Sequence, residues 1–382
     1  MTTSDQRYWR RAELRRDEED GRHRSVGWLE LFFDLVFVVI VGVMAEELAH
    51  EPRHLPGFAL QFMAVFWVWN AFTYYTERFE TDGLENRLFT FLAMITVAGL
   101  AVWAPHGLDD NYAGFAGSYL AARGLNIALW LRAGVHERMF LPIAVRFATG
   151  YALAATIIGI SLAIHDEVLR AALFGLAVVV EILAPAFTTK QQGALPPLSR
   201  SKWPERFGLF TMIVLGEMII GVIHALSDAE KHVVSGILGL AIGFAFWWLY
   251  YDFVARRPSR QAIATALGWV YLHLLALLTI TVAGAMVSVA LGGHDVPGLL
   301  FVSVGAALAV LGVLEMTLER ADDEPTHPKL SPGLKVGLGA LLAAVALLPV
   351  HWSSAAALAT CLIVLAVPAA YGARVWYRRS VA

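Results

Sequence analysis

Three features of this sequence predict an all-α polytopic membrane protein, with about twelve transmembrane helices in two parallel six-helix repeats and both termini cytoplasmic. The first is composition. Of 382 residues, 58% are hydrophobic and 16% charged, with a mean hydropathy of +0.59, whereas a soluble domain carries about 25% charged residues. The second is a series of apolar runs of about 20 residues, the length that crosses a bilayer as a helix. The third is the uneven sharing of basic residues between alternate loops. Soluble globular, disordered and collagen-like folds are excluded. A single cysteine, Cys361, excludes a disulfide framework and a cysteine-based metal cluster. The net charge of −3 gives no basis for a nucleic-acid partner.

Apolar runs place the spans at roughly 28–49, 57–76, 86–104, 112–131, 141–163, 169–188, 207–226, 232–254, 264–290, 297–317, 333–350 and 352–372. Helix breakers and charges separate them. His50-Glu51-Pro52 closes the first, Pro105-His106 the third, Gly292-Gly293-His294-Asp295 the ninth, and the stretch from Pro325 to Pro332 the tenth. The hinge near His351 is the shortest boundary, and a chain that bridged it would have ten or eleven spans.

Orientation follows from the basic residues. Arg7, Arg10, Arg11, Arg15, Arg16, Arg22 and Arg24 precede the first span. Of 29 Lys and Arg, only Arg53, Arg170 and Lys231 fall on the opposite side, and Arg123 and Arg146 lie within spans. The rich side is cytoplasmic. Residues 1–25, mixed in charge through Asp17-Glu18-Glu19-Asp20, read as an uncleaved arm before a signal-anchor helix. The arm is either solvated or a basic strip on anionic headgroups. The organisation expected is an arm over 1–25, repeats over 26–188 and 207–372, a linker over 189–206 and a cytoplasmic tail over 373–382.

The repeat rests on four matches in the same order. Ile95-Thr96-Val97-Ala98-Gly99 recurs as Ile280-Thr281-Val282-Ala283-Gly284, and Trp28-Leu29-Glu30 is echoed by Trp203-Pro204-Glu205. Phe66-Trp67-Val68-Trp69 matches Phe246-Trp247-Trp248-Leu249, and Ala184-Pro185-Ala186 and Val367-Pro368-Ala369 close the sixth and twelfth spans. An even number of spans per copy makes the copies parallel, an arrangement that commonly places a site between the halves. Small residues four apart, Ser235-Gly239-Gly243 and Ala113-Gly117-Ala121, predict close packing inside the molecule, with a homodimer face as the alternative. The aromatic run Phe246 to Tyr251 reads as an interfacial anchor.

A charge at mid-bilayer costs about 2.5–3.5 kcal/mol, so each is paired or functional. Glu30 and Asp34 share one face of the first span; Glu181 and Glu217 lie near the middle of the sixth and seventh, Arg123 in the fourth, Arg146 and His273 nearer span ends, and Asn70 and Asn126 add uncharged polar groups. Four deep carboxylates against two arginines leave a surplus that needs protons, a charged His273 or a bound cation. The candidate ion- or substrate-binding residues are therefore Glu30, Asp34, Glu181, Glu217, Arg123, Arg146, His273 and Asn70. The competing reading makes them staples, as Arg123–Glu181 and Arg146–Asp34 pairs, with His273 a satisfied packing residue. Asp252 and Glu315, at span ends, read as solvated. Metal-ligand spacing, a P-loop, a nucleophile elbow and a dinucleotide glycine fingerprint are all missing, so neither enzymatic chemistry nor a cofactor is expected.

The stretch Trp28-Leu29-Glu30-Leu31-Phe32-Phe33-Asp34-Leu35-Val36-Phe37, with Glu205 to Glu217 and Trp247-Trp248-Leu249-Tyr250-Tyr251-Asp252-Phe253, resembles the bacterial low temperature requirement A (LtrA) family over essentially the whole chain. The resemblance implies a multi-span protein of the bacterial inner membrane, in a family named for growth in the cold. There the helix holding His273 usually reads His-Leu-Pro; here Leu274-Leu275 follow, and the kink is not expected. Phe32-Phe33-Asp34 also resembles, more weakly, the Phe-Ser-Asp of two-repeat lysosomal potassium channels, without the Ser. The functional expectation is a proton- or cation-coupled transporter of a small solute, its partners being the lipid bilayer, a proton or monovalent cation, and that solute. A structural or accessory membrane protein and a cation channel are the alternatives.

Overall fold

The computed structural model describes residues 11–15, 25–79, 83–228, 233–257, 263–293, 297–320 and 324–379. Arg7, Arg10, Arg16, Arg22, Arg24, the acidic run of the arm, Lys231 and the boundary pair His294-Asp295 lie outside the described residues. Among the described residues every regular element is helical. Twelve helices of 16 or more residues run in order: α1 Trp28–His50, α2 Leu55–Phe79, α3 Leu84–Trp103, α4 Tyr112–His136, α5 Leu141–Ser161, α6 Glu167–Leu183, α7 Lys202–Asp228, α8 Val233–Tyr250, α9 Ile263–Leu291, α10 Pro297–Met316, α11 Leu330–Val345 and α12 Ser354–Arg379. Ten are long and apolar enough to cross a membrane. The others are α4, where Arg123, Asn126 and Arg132 dilute the apolar run, and α11, which at 16 residues falls short of the ~20 that a span needs.

Local chemistry accounts for the ends. Pro142 sits in the first turn of α5, where its missing N–H costs nothing. Asp166 caps α6 by accepting the Leu169 N–H at 2.7 Å. Pro185 turns the end of α6 into the 3₁₀ segment Ala184–Thr188. Its counterpart Pro368 does not close a span as expected: it lies inside α12, which continues to Arg379. Membrane helices tolerate an internal proline because neighbouring groups satisfy the freed carbonyl.

The described residues pack as two units. The first draws on Met1–Met44, Leu55–Arg206 and Gln261–Leu267. In it α3 to α6 pack as successive neighbours, and α2 lies against α4 and α6. The centre is α2, whose Phe62, Phe66, Trp67 and Trp69 are at most 1% exposed. Near its end Tyr75 and Phe79 meet Trp130, which stacks on Phe140 with centroids 5.3 Å apart. Aromatic faces of this kind supply packing where lipid removes the hydrophobic incentive.

The second unit draws on Ala45–His54, Phe207–Arg260 and Gly268–Ala382. Its tightest pairing is α10 on α11, where backbone meets backbone. A Cβ on Gly305 would stand 2.4 Å from the Gly339 carbonyl oxygen, and one on Gly339 2.4 Å from that of Gly305. The α8 stripe packs inside this unit as expected: Ser235, Gly239 and Gly243 are buried, and a Cβ on Gly239 would lie 3.0 Å from Val287. The α4 stripe is a correction. Ala113, Gly117 and Ala121 are exposed, with open space at Gly117, because α4 turns its Tyr119, Arg123 and Trp130 inward instead.

Gly305→Ala should destabilise the purified protein by about 1–3 kcal/mol through overpacking. Gly337→Ala, where nothing lies within 4 Å of the added methyl, should be neutral or stabilising, since alanine is the better helix former. Equal melting temperatures for the two variants would contradict the backbone crossing.

Candidate functional site

The sequence signal at Glu30 and Asp34 becomes, in the first unit, a closed charge cage. The first turns of α1 and α7 and the middle of α2 build it. Arg206 donates Nε to Asp34 Oδ2 at 3.2 Å, Nη2 to Asp34 Oδ1, and Nη1 to Thr76 Oγ1 at 3.2 Å and to Glu30 Oε1 at 3.4 Å. The Trp69 indole donates to Asp34 Oδ1 at 2.8 Å, and Lys202 pairs with Glu30 at 2.8 Å. Gly27 N–H donates to the other Glu30 oxygen at 3.0 Å. All four charged groups are 6% exposed or less. Planar guanidinium against carboxylate, fork to fork, is the geometry that compensates desolvation.

The expected Arg146–Asp34 pair is absent, and Arg146 is exposed on α5. Asp34 takes Arg206 because α7 begins at Lys202 rather than at 207, which draws two basic residues assigned to the linker into the helix and inward. The linker is pinned as well. Glu77 accepts the Ser199 N–H at 2.9 Å, Arg78 donates to the Pro196 carbonyl at 2.5 Å, and the Tyr74 hydroxyl donates to Gln192 at 2.8 Å.

The expected Arg123–Glu181 pair is present in the same unit. Arg123 Nη2 lies 2.6 Å from Glu181 Oε2, and both side chains are fully buried. Arg123 also donates to the Tyr119 hydroxyl at 2.7 Å, and that hydroxyl donates to Glu181 at 2.5 Å. The guanidinium lies 4.7 Å from the Tyr119 ring centroid and 5.1 Å from that of Tyr151, so cation–π attraction supplements the pair. Asn70 and Asn126 are buried, each with Oδ1 lacking a hydrogen-bond partner among the described residues.

A second network lies in the other unit, where sequence reasoning placed only a solvated Glu315. Glu315 is 3% exposed and is held by Arg257 at 2.9 Å and Lys335 at 2.7 Å. Ser331 donates to it at 3.0 Å, and Glu324 adds a second carboxylate on Arg257. Lys335, on the short α11, points back to the ends of α8 and α10, its ammonium 3.5 Å from the Phe253 ring centroid. Asp252, by contrast, is part-exposed and bridges Arg256 at 3.3 Å. His273 is buried with both ring nitrogens occupied: Nδ1 donates to the Trp269 carbonyl at 2.9 Å, and Nε2 faces the Tyr250 hydroxyl at 3.1 Å. A carbonyl only accepts, so the proton is on Nδ1 and the Tyr250 hydroxyl donates to Nε2. The aromatic run divides accordingly, with Trp247 and Trp248 exposed as anchors and Phe246, Leu249 and Tyr250 in the core.

Glu217 stands apart. It is half-buried at mid-α7, makes no hydrogen bond or ion pair among the described residues, and has His224, two turns along the helix, within electrostatic reach. Open space surrounds the adjacent Gly216.

The family model described as "Bacterial low temperature requirement A protein (LtrA)" matches residues 25–369. A protein of Rhizobium meliloti (strain 1021), printed as "Uncharacterized protein RA0937", is 26% identical over 267 residues, 66% of this chain and 64% of that protein. The chain thus spans just under two thirds of the length of the curated relative it matches. No solved structure matches it.

Arg206→Ala leaves buried Asp34 without its counter-charge, while Glu30 keeps Lys202, and should cost about 3–5 kcal/mol of stability. Arg206→Lys should recover only part of that, because an ammonium cannot reproduce the fork, and Arg146→Ala should be close to neutral. Thermal unfolding in detergent reads all three. Indistinguishable Arg206→Ala and Arg146→Ala proteins would show that the cage does not hold these helices together.

Proposed function

The chain belongs to the bacterial low temperature requirement A (LtrA) family of multi-pass membrane proteins, and we propose that it is a proton- or cation-coupled transporter of a small solute in the bacterial inner membrane. In this reading its twelve helices are spans in two parallel six-helix repeats, with both termini cytoplasmic. The four ordered sequence matches, the basic bias of alternate loops and the order of the twelve helices support that topology.

The observation that carries the proposal is Glu217. Of the four deep acids, Glu30, Asp34 and Glu181 are each ion-paired with a basic side chain, and Glu217 alone has no such partner among the described residues. A lone carboxylate at mid-span is costly while charged and cheap while neutralised, so its state follows proton or cation occupancy. Fixed pairs cannot serve this way, because each charge already has its counter-charge. A second reading has an observation of its own: that three of the four deep acids are held in ion pairs favours a structural protein whose charges staple helices.

Ion flux and internal pH in liposomes holding purified protein, wild type beside Glu217→Gln, separate the two. The carrier reading expects a gradient-driven flux that Glu217→Gln reduces about tenfold or more with an unchanged melting temperature, since only the neutralisable site is lost. Undiminished flux in Glu217→Gln would defeat it. No flux under any gradient, with Glu217→Gln only lowering the melting temperature, would favour the stapled structural protein.

A further inference from the structure

In the first unit, α2, α4 and α6 carry buried polar atoms that find no bonding partner in the protein. Among the described residues, these are Asn70 Oδ1 and Thr73 Oγ1 of α2, Arg123 Nε and Nη1, Asn126 Oδ1 and Trp130 Nε1 of α4, and Glu181 Oε1 of α6. Each of these side chains is 9% exposed or less. The three α4 residues are three and four apart and so share one face, and Asn70 and Thr73 stand a turn apart on α2. The two helices run side by side in the same direction. Gln61, near the start of α2, donates to the Ala104 carbonyl ahead of α4 at 3.0 Å, while Phe79, at the end of α2, meets Trp130. Trp130 also packs on Tyr74, with centroids 5.7 Å apart. One turn back from that contact on each helix stand Asn70 and Asn126, at one level. Arg123 follows within the next turn of α4, paired with Glu181.

We propose that these atoms bind a file of ordered water, buried between α2, α4 and α6 and running from the Arg123–Glu181 pair toward Trp130. The atoms are of both hydrogen-bonding kinds. The nitrogens of Arg123 and Trp130 only donate, and an ionised Glu181 oxygen only accepts. Asn126 gives its Nδ2 to the Ala122 carbonyl at 3.3 Å, which leaves Oδ1 as an acceptor. The Thr73 hydroxyl does either. A ligand that serves donors and acceptors within a turn of one another must itself do both. Water does, and a buried water makes about three hydrogen bonds. Lipid tails offer no such group, and a buried polar atom left dry is costly. The ion pair itself points the same way. A fully buried guanidinium and carboxylate hold together well only when their remaining donors and lone pairs are also met, and Arg123 Nε and Nη1 and Glu181 Oε1 are the ones that remain. The inference rests neither on transport nor on Glu217, which belongs to the other unit.

The test is radiolytic hydroxyl labelling of the purified full chain in phosphatidylcholine nanodiscs, read residue by residue by mass spectrometry. Water split in place oxidises the side chains beside it, however deep they lie. Each rate is taken relative to that of the same residue in the unfolded chain. Trp130 is expected to be labelled several-fold faster than Phe37 and Phe62, which are as deeply buried and pack on other phenylalanines. Thr73→Val keeps the shape of the side chain and removes its hydroxyl. With water bonded there the variant melts lower than wild type and loses part of the Trp130 labelling. In a dry core the same change removes an unbonded hydroxyl and raises the melting temperature. Wild-type Trp130 labelled no faster than the two phenylalanines would overturn the proposal, whatever the variant does. So would Thr73→Val melting at or above wild type.

Discussion

A guanidinium withdrawn from water has to find carboxylates, and much of the first unit is arranged around that requirement at Arg206. Its fork is taken by Asp34, its remaining amine by Glu30 and Thr76, and the indole of Trp69 completes the shell around Asp34. The ends of α1 and α7 and the body of α2 are thereby held to one register. The central partners depend on each other: remove the arginine and buried Asp34 loses its counter-charge, remove Asp34 and the guanidinium loses the carboxylate that takes its fork. Such a cluster contributes little net energy when complete and a large penalty when broken, which makes it a device for specifying one packing of helices. Apolar contacts between helices in lipid lack that selectivity.

The second unit meets the same requirement with different chemistry. Arg257, at the end of the α8 run, and Lys335, inside the short α11, converge on Glu315, while Gly305 and Gly339 let α10 and α11 close to backbone contact. The lysine explains how a short helix carrying a charge is accommodated: its ammonium is spent on Glu315, Ser331 and the Phe253 ring. The glycines of the repeated Ile-Thr-Val-Ala-Gly sequence also both sit at close approaches, Gly99 against Ser118 and Gly284 against Met218. Those partners belong to different helices, so similar sequence serves different local packing.

Beside these ion-paired networks, two further ionisable groups are informative. His273 has the type and depth of a proton carrier, yet both its nitrogens are committed to Trp269 and Tyr250, which suits packing better than relay. Glu217 has no such commitments among the described residues. The carboxylate surplus counted along the chain arose because Lys202 and Arg206 were assigned to a loop. With both inside α7 the cage balances, and the surplus shrinks to the residue that remains without a partner.

The sequence by itself determined the helical class, the helix order and most boundaries, because twenty-residue apolar runs and the breakers between them act locally. It also offered Arg123 and Glu181 as a pair, beside their reading as ion-site residues: two opposite charges deep in the apolar fourth and sixth spans have few other ways to be neutralised. Only the tertiary structure decided that Asp34 meets Arg206 rather than Arg146, that Glu315 is buried, and that the α4 small-residue stripe faces outward. Those outcomes depend on where a helix begins by a turn and on which way it is rotated about its axis. In a helix as uniformly apolar as α1, α9 or α10 no contrast between faces announces that rotation. It is set by the partners that a few polar side chains find across the unit.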